Sequence, residues 1–401
     1  MKVRYPAALA VGALAFATHS PARGDSIKSV SVDCDAGETI TKALTKGDER
    51  KPLLIPIRGT CNESILIDRN DVMLVAAAPG ATLRGTDPAI NVIVVAASRV
   101  TIDGITVTGG RNGITADGAA GLMVRNAAVQ GTGRTGIVYQ RGASGTVDHV
   151  VVQNNPRDGI AIESAYATII NSQVSQNGRH GVGVFDTGAA RIGVDDASNA
   201  AGNVINGNTV NGVHIVFGAS AFVGMNQISG NSGSGINLSN SSADILGGNT
   251  VTGNVGTGIN VRMGSAVIGD ANFGLTTVNT ITGNGSPASQ GGISGFLGSS
   301  LAIRDAVISE NVGFGLIAST RTSVQIQSST IVNNVAFAPG FGDGIRITLG
   351  SALLASPAAG SVTGNAGFAL LCTDGESSAV NTGLLGIGPN ASGGVSGCTG
   401  F

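Results

Sequence analysis

Residues 235–258 read GINLSNSSADILGGNTVTGNVGTG, and this stretch decides the fold. Three short runs within it alternate apolar and polar residues: Ile236-Asn237-Leu238, Ala243-Asp244-Ile245 and Asn249-Thr250-Val251. Alternation with a period of two is typical of β-strands. Three short strands in one 23-residue unit predict a triangular coil of β-structure.

A glycine followed directly by a β-branched or large apolar residue marks the repeating unit. The eleven pairs are Gly113-Ile114, Gly136-Ile137, Gly159-Ile160, Gly181-Val182, Gly212-Val213, Gly235-Ile236, Gly258-Ile259, Gly292-Ile293, Gly315-Leu316, Gly344-Ile345 and Gly367-Phe368. The intervals between them are 23, 23, 22, 31, 23, 23, 34, 23, 29 and 23 residues. A period of this size indicates a solenoid, in which each unit buries its apolar face by stacking on the next. The repeats lack segments with the helical period, which argues against helical and leucine-rich repeats.

Two phrases of the sequence resemble known proteins. They are Gly202-Asn203-Val204-Ile205-Asn206-Gly207-Asn208 and Asn279-Thr280-Ile281-Thr282-Gly283-Asn284. Both are similar to phrases of bacterial repeat proteins with the right-handed parallel β-helix of the pectin-lyase-like superfamily. The resemblance covers about residues 53–371 and implies the fold. It implies no single activity, because this scaffold carries lyases, hydrolases, epimerases and adhesins.

The composition fits an all-β solenoid and limits the classes of binding partner that the charge supports. Glycine occupies 63 of 401 positions without a Gly-X-Y period, and the 42% of hydrophobic residues excludes general disorder. Charged residues make up 12% of the chain, and the net charge is -2. Bulk electrostatics therefore offers no argument for nucleic acid or an anionic membrane as a partner.

The N-terminus predicts export. In residues 1–22, Lys2 and Arg4 precede an apolar run and small-residue cleavage sites, as in a secretory signal peptide. No later apolar stretch approaches the roughly 20 residues that a transmembrane helix needs. We therefore expect a soluble, secreted or periplasmic protein without membrane insertion. After the signal we expect an N-terminal strand and capping segment at 23–52 with a short helix in 38–46, the β-helix at 53–371 and a C-terminal cap at 372–401.

The four cysteines predict two disulfides, Cys34–Cys61 and Cys372–Cys398. Cys34 and Cys61 are 27 residues apart, and Cys372 and Cys398 are 26 residues apart. Each interval is about one coil. Cysteines one coil apart can stack within bridging distance, and zinc would need more closely spaced ligands. Each disulfide would staple one end of the solenoid, where unpaired strand edges favour aggregation.

Two residue types recur at fixed distances before the repeat glycine. Asparagine lies four residues before it at Asn155, Asn177, Asn208, Asn231, Asn254 and Asn311. We interpret these residues as a structural ladder, because asparagine tolerates left-handed turns and its amide can bond to the next coil. Arginine lies two residues before the glycine in four successive coils, at Arg111, Arg134, Arg157 and Arg179.

The arginine series predicts a column about 15 Å long, since neighbouring coils lie about 4.8 Å apart. Like charges at that spacing repel, so a purely structural surface gains little by collecting them. One hypothesis is a strip that binds a linear polyanion through paired hydrogen bonds to carboxylate or sulfate. The other is a solvated corner neutralised by Asp158 and further acids.

The strand after each glycine exposes one face of the solenoid. Its larger or polar members are Asp117, Gln140, Glu163, Phe185, His214, Arg262, Phe296 and Arg346. The resemblance implies that a polysaccharide groove follows this sheet. Glu163, Asp186, His180 and His214 are then the candidate catalytic residues, and Phe185 and Arg262 join the four arginines as candidate substrate-binding residues. The alternative is ordinary polar decoration of an exposed sheet.

The chemistry of these candidates stays open between two enzyme classes. Glu163 and Asp186 could serve a hydrolase as its carboxyl pair, whereas a lyase needs a base beside a cation such as Arg157, Arg179 or His180. The sequence departs from the enzyme families of the superfamily. It lacks the ordered Asn-Thr-Asp, paired aspartate and Gly-His-Gly of polygalacturonases, and Val147-Asp148-His149-Val150 lacks the tryptophan of the similar pectate-lyase phrase. We carry over no catalytic assignment.

Insertions after Ile192 and Ile268 and before Gly344 predict loops on the solenoid. They contain Asp195, Asp196, Asp270, Asn272, Phe273, Phe337, Pro339 and Phe341. Such loops can wall a groove or be drifted turns. We expect no cofactor, and calcium at Asp195, Asp196 and Asp270 stays an open alternative. The chain has no tryptophan and three tyrosines, which counts against a sugar platform.

The sequence thus favours an extracytoplasmic β-helix that recognises a linear, acidic polysaccharide or cell-surface glycan. The alternatives are a noncatalytic surface or matrix protein that serves adhesion, and a polysaccharide lyase or glycoside hydrolase. Binding predicts lost affinity when the arginines are removed, adhesion predicts attachment without a product, and catalysis predicts a product. The sequence does not fix the oligomeric state.

Overall fold

The computed structural model describes residues 27–46, 48–269, 277–288, 291–356, 360–381 and 385–399. The predicted signal peptide and Asp270, Asn272 and Phe273 lie outside these residues. In the described part of the chain, nearly all regular structure belongs to three parallel sheets that follow one another around each coil. We name them sheets A, B and C. The arrangement is the predicted parallel β-helix.

Each strand pairs in parallel with its equivalents one coil before and after. Sheet A contains Lys28–Ser29, Val32–Asp33, Leu53–Arg58, Val72–Ala76, Thr101–Asp103, Leu122–Arg125, Ser144–Asp148, Tyr166–Ile170, Ala189–Ile192, Ser220–Val223, Ser242–Ile245, Ser265–Ile268, Ser300–Arg304, Ser323–Gln327, Ala352–Ala355 and Ser378–Asn381. Sheet B contains Thr60–Cys61, Thr82–Gly85, Thr106–Gly109, Ala128–Gln130, Val151–Gln153, Gln173–Ser175, Val204–Asn206, Gln227–Ser229, Thr250–Thr252, Asn279–Thr282, Ala306–Ser309, Thr330–Val332, Gly360–Thr363 and Leu385–Ile387. Sheet C contains Ile65–Ile67, Ile93–Val95, Ile114–Asp117, Ile137–Gln140, Ile160–Glu163, Val182–Phe185, Val213–Val216, Ile236–Ser239, Ile259–Arg262, Ile293–Phe296, Leu316–Ser319, Ile345–Thr348, Phe368–Cys372 and Gly393–Ser396. The strands after residue 371 add a further coil in the segment predicted as a cap.

The repeat glycines lie one residue before the strands of sheet C. Ile114, Ile137 and Ile160 pair with one another in register and are fully buried, as the spacing predicts. Each fully buried aliphatic side chain of this kind contributes about 1.5–3 kcal/mol. The eleventh pair is out of register, because Ile345 pairs with Leu370 rather than with Phe368.

Close packing between coils explains the repeat glycine. A Cβ atom built on Gly159 would lie 2.5 Å from Val174 Cγ1, 2.7 Å from Asn177 Nδ2 and 2.8 Å from the carbonyl oxygen of Gly181. Equivalent glycines meet the same three kinds of neighbour, as Gly136, Gly181 and Gly235 do. Glycine is therefore required here by lack of space.

The predicted asparagine ladder is present and is longer than predicted. In each step the side-chain amide donates to the Oδ1 of the asparagine in the next coil, as from Asn155 to Asn177 at 3.0 Å. The ladder runs through Asn155, Asn177, Asn208, Asn231, Asn254, Asn284, Asn311, Asn334, Asn365 and Asn390. Loop insertions move Asn284 and Asn334 away from the expected distance to the next glycine. These amides, which are buried except for the half-buried Asn390, satisfy one another and fix the stacking of the coils.

The N-terminal end of the solenoid carries a minor cap. The helix Ile40–Leu44 begins after Thr39, whose side chain accepts from the Lys42 amide, and it buries Ile40 and Ala43 against the core. The guanidinium of Arg69 donates to four carbonyl groups around the end of this helix, including that of Leu44. A 3-10 turn, Cys34–Ala36, precedes it. No helix in the described residues is long and apolar enough to cross a membrane.

Both predicted disulfides are formed, Cys34–Cys61 at one end and Cys372–Cys398 at the other. Replacing Cys372 and Cys398 by serine should destabilise the terminal coil by about 3 kcal/mol, because the open loop regains conformational entropy when unfolded. Hydrogen exchange of Ser378–Asn381 and Gly393–Ser396 measures this effect. Protection equal to that of the wild-type protein would contradict a stapling role, and the strands near residue 236 serve as the internal reference.

Candidate functional site

The outward side chains of sheet C form two columns along the solenoid. Asp117, Gln140, Glu163 and Phe185 pair in register and share the first column. His214 lies in the second column, where it pairs with Gly183. Arg262 and Phe296 continue the first column, and Arg346 belongs to the second. The structure thus brings the predicted face together.

The four predicted arginines stack at the corner that leads into sheet C. The Arg157 amide donates to the carbonyl of Arg134, and the Arg179 amide donates to that of Arg157. Arg179 forms a salt bridge with the buried Asp158 at 2.9 Å. Among the described residues, Arg111, Arg134 and Arg157 form no salt bridge.

The arginines act on one another electrostatically. Burial lowers the pKa of Arg134, and the positive charges of Arg157 and Arg111 lower it further. The negative charge of Glu163 has the opposite effect. The guanidinium groups are therefore close enough to form a positive strip, which we define as Arg111, Arg134 and Arg157.

A cluster of rings lies at the end of this strip. The imidazoles of His180 and His214 stack with their centroids 4.0 Å apart, and the ring of Phe185 lies edge-on to His214 at 5.8 Å. The guanidinium carbon of Arg179 is 5.1 Å from the centre of the Phe185 ring. Phe185 crosses the outer face at Gly183, where any Cβ would collide with its ring. It packs on Ala161 and Val216 and is 8% exposed, so it forms the floor of this region rather than an open platform.

Hydrogen bonds fix both histidines in the neutral form. The Asn211 amide donates to His180 Nδ1 at 3.3 Å, and the side-chain amides of Asn211 and Asn237 lie 3.1 and 2.9 Å from His214 Nδ1. Because amide nitrogens donate, each Nδ1 is an acceptor and the ring proton lies on Nε2. Burial, followed by the charges of His214 and Arg179, lowers the pKa of His180 to about 2. Burial and Arg179 lower the pKa of His214 to about 4.

The candidate carboxylates do not join the histidine cluster. Glu163 is exposed at the end of its strand. Asp186 is exposed in the following turn with φ of 52°, and its carbonyl accepts from the Ser164 hydroxyl at 2.7 Å. In the described residues neither carboxylate forms a hydrogen bond to His180 or His214. The arrangement therefore supplies neutral donors and positive charge, without an assembled acid–base pair.

Sequence reasoning missed the amides that extend the site. Asn260 donates to Asn237 at 2.7 Å, and Asn237 contacts His214, which makes a polar path along the second column. The outward position of both asparagines was readable from the strand period. Asn211 carried no such signal, because it lies before the strand and acts through a turn. Asp158 was expected beside the arginines, and it pairs with Arg179.

The histidines predict a pH dependence of stability. Their pKa values are about 6.5 in the unfolded chain and lower in the folded protein, so the unfolded chain binds protons first as the pH falls. The stabilisation that comes from keeping these histidines neutral is therefore fully present above pH 6.5 and is lost as the pH falls below it. Between pH 7 and 4.5, His180→Gln with His214→Asn should reduce the loss in the free energy of unfolding by about 5 kcal/mol, since each histidine contributes about 1.4 kcal/mol for each pH unit below 6.5. Urea titrations measure this difference, with the exposed His149→Asn as control. Parallel pH profiles of wild type and double variant would contradict it.

The insertion after Ile192 and the insertion before Gly344 lie on different sides of the solenoid. The loop after Ile192 folds over the outer face of sheet A, where Asp196 accepts hydrogen bonds from Tyr166 and Thr168. It therefore does not wall the face of sheet C. The insertion before Gly344 does reach sheet C. There Phe314, Phe337 and Phe341 form an aromatic cluster beneath and beside Arg346, whose guanidinium carbon is 4.4 Å from the centre of the Phe314 ring.

Comparisons with known proteins agree on the architecture. The family model described as a right-handed β-helix region matches residues 91–245 and 163–272. The catalytic unit of a GH87 α-1,3-glucanase from Streptomyces thermodiastaticus strain HF3-3 is similar over 90% of this chain and 70% of that one, with 14% identity and a TM-score of 0.54. The periplasmic alginate epimerase AlgG is similar over 92% and 85%, with 11% identity and a TM-score of 0.50. No curated protein matches the chain in sequence. At these identities, the similarity is one of fold.

Proposed function

Because the chain is a right-handed parallel β-helix protein with the fold of the pectin-lyase-like superfamily, we propose that it is an extracytoplasmic protein that binds a linear acidic polysaccharide on sheet C. The disulfides and the signal-like N-terminus support an oxidising location outside the cytoplasm. The two similar structures are named as a glucanase and an alginate epimerase, which supports a polysaccharide partner.

The positive strip is the observation that carries this proposal. It presents one guanidinium per coil, at intervals of about 4.8 Å along the axis. A polymer with one carboxylate or sulfate at each sugar residue can place an anion against each arginine. Guanidinium groups bind such anions through two parallel hydrogen bonds. A small anion would use one arginine and gain nothing from the column.

Beyond the strip, the amides of Asn237 and Asn260 can donate to and accept from sugar hydroxyl groups. Both side chains are half-buried on the outer face of sheet C. Further along the same face, Phe337 and Phe341 add apolar surface next to Arg346. A chain that lies parallel to the solenoid axis would meet the anion-binding strip first and these neutral contacts after it.

The site favours binding without cleavage. A general base works best with a pKa near the working pH, whereas His180 and His214 stay neutral far below it. The carboxylates of Glu163 and Asp186 lie outside the histidine cluster. Cleavage of the polysaccharide would therefore need a catalytic residue other than these histidines and carboxylates.

One experiment separates binding from catalysis. Purified protein is incubated with linear acidic and neutral polysaccharides, and size-exclusion chromatography follows both coelution and polymer length. We expect coelution with acidic polymers at unchanged length. Shortened polymer that disappears with Glu163→Gln or Asp186→Asn would make the protein an enzyme, and absence of any interaction would favour a structural rod.

A further inference from the structure

A cavity lies on the outer face of sheet A, on a different side of the solenoid from the positive strip. Its volume is about 240 Å³. The residues that the argument uses are Met123, Thr146, Tyr166, Thr168 and Asp196, which all line it. The cavity is below the range of about 300–1,000 Å³ typical of drug-sized ligands, so it suits a single ring rather than a polymer segment.

The sequence creates this cavity by placing small side chains between large ones. In register, Met123, Thr146 and Thr168 occupy one outward column, and Ser144 and Tyr166 occupy the next. The middle coil therefore lines the cavity with the small residues Ser144, Gly145 and Thr146, between Met123 on one side and Tyr166 on the other. The loop after Ile192 closes the C-terminal wall with Asp196.

Three polar side chains, those of Tyr166, Thr168 and Asp196, form hydrogen bonds at the C-terminal wall of the cavity. Tyr166 Oη donates to Asp196 Oδ1 at 3.0 Å, and Thr168 Oγ1 donates to the same oxygen at 3.1 Å. Burial raises the pKa of Tyr166, so its phenol remains a donor. In the described residues, Asp196 Oδ2 accepts no hydrogen bond, and the Asp196 side chain is 58% exposed. One carboxylate oxygen is thus held in place, while the other has no hydrogen bond in the described residues and belongs to an exposed side chain that lines the cavity.

We propose that this cavity binds a single neutral sugar residue. The free Asp196 oxygen can accept from two neighbouring hydroxyl groups, Thr146 offers a hydroxyl, and Met123 and the Tyr166 ring supply apolar surface for the carbon face of the sugar. Arg191 Nε lies 3.9 Å from Asp196 Oδ1, but Arg191 donates its hydrogen bonds to the Asp195 carbonyl and the Ser198 hydroxyl, so the half-exposed Asp196 carboxylate is the charged group at the cavity and disfavours uronic acids. The inference is independent of the proposed function. With both sites in use, the protein would bridge an acidic chain and a neutral glycan.

Saturation-transfer NMR with methyl glycosides of glucose, galactose, mannose and N-acetylglucosamine, and with glucuronate and galacturonate, tests this inference. At least one neutral glycoside should bind, with at least tenfold weaker binding of the uronates. Thr146→Trp fills the cavity and should abolish binding. Asp196→Asn keeps an oxygen for Tyr166 and Thr168 but removes the charge, so it should lose the discrimination against uronates.

The exposed Glu310→Gln removes one negative charge elsewhere and is the matched control. Unfolding temperatures confirm that each variant is folded. No binding by any neutral glycoside, binding that survives Thr146→Trp, or equal binding of uronates by the wild-type protein would overturn the inference. Acidic polymer binding by the Thr146→Trp variant should be unchanged, which separates failure here from failure of the strip on sheet C.

Discussion

Replacing Arg111, Arg134 and Arg157 together by alanine should weaken binding to a linear acidic polysaccharide about 100-fold. Each exposed ion pair contributes up to about 1 kcal/mol, and about 1.4 kcal/mol corresponds to a factor of ten in affinity. The three guanidinium groups carry no salt bridge among the described residues, so their removal leaves no buried carboxylate unpaired. Isothermal titration calorimetry measures the loss, and the unfolding temperature should stay near that of the wild-type protein.

The matched control removes the same charge elsewhere. Arg84 is exposed on sheet B, and Arg99 and Arg125 pair with Asp71 and Asp103 at the surface. Alanine at these three positions changes the net charge as much as the strip variant does. If binding depends on the column, this control should keep most of the affinity. Equal losses in both variants would show a general charge effect and contradict a specific site.

Gly159→Ala should destabilise the protein by about 3 kcal/mol, because overpacking of a tight core costs about 1–3 kcal/mol and one of the clashing atoms is backbone. The new Cβ would lie within 2.8 Å of the Gly181 carbonyl oxygen, which belongs to the next coil and is fixed by sheet C. The new Cβ would also displace the side-chain amide of Asn177, which belongs to the neighbouring asparagine ladder. Larger side chains at this position should prevent folding of the coil.

Gly375→Ala is the control for this substitution. Nothing lies within 4 Å of a Cβ atom at Gly375, and its φ is outside the left-handed region. Urea denaturation should show a change of less than about 0.5 kcal/mol for Gly375→Ala. A similarly small change for Gly159→Ala would contradict the explanation of the repeat by lack of space.

The periodic part of the fold was readable from the sequence, and the irregular parts were not. A glycine before each strand of sheet C and an asparagine at each turn recur because every coil faces the same neighbours. Gly367-Phe368 matched this pattern by composition, yet the terminal coil places Ala369 and Leu370 at the equivalent positions. The fixed spacing before the repeat glycine did not identify Asn284 as part of the ladder, because an insertion lengthens the distance from Asn284 to the next repeat glycine.

The candidate site likewise combines periodic features that the sequence predicts with irregular contacts that it does not. The arginine column and the two outward columns follow from spacing alone. The stacking of His180 on His214 depends on side-chain rotamers across coils that an insertion separates by 34 residues in sequence. The neutral state of these rings depends on burial and on Asn211, and the direction of the loop after Ile192 depends on its bonds to Tyr166 and Thr168. Such tertiary contacts leave no periodic trace.

The length dependence of oligosaccharide binding tests the central claim most directly. Linear oligouronates of two to six residues are titrated into the purified protein at low and at raised ionic strength. Each uronate that reaches a further arginine should raise the affinity up to about fivefold until the strip is covered, and salt should weaken binding. Affinity that does not change with length, or no binding of any oligouronate at low salt, would contradict a linear polyanion site along Arg111, Arg134 and Arg157.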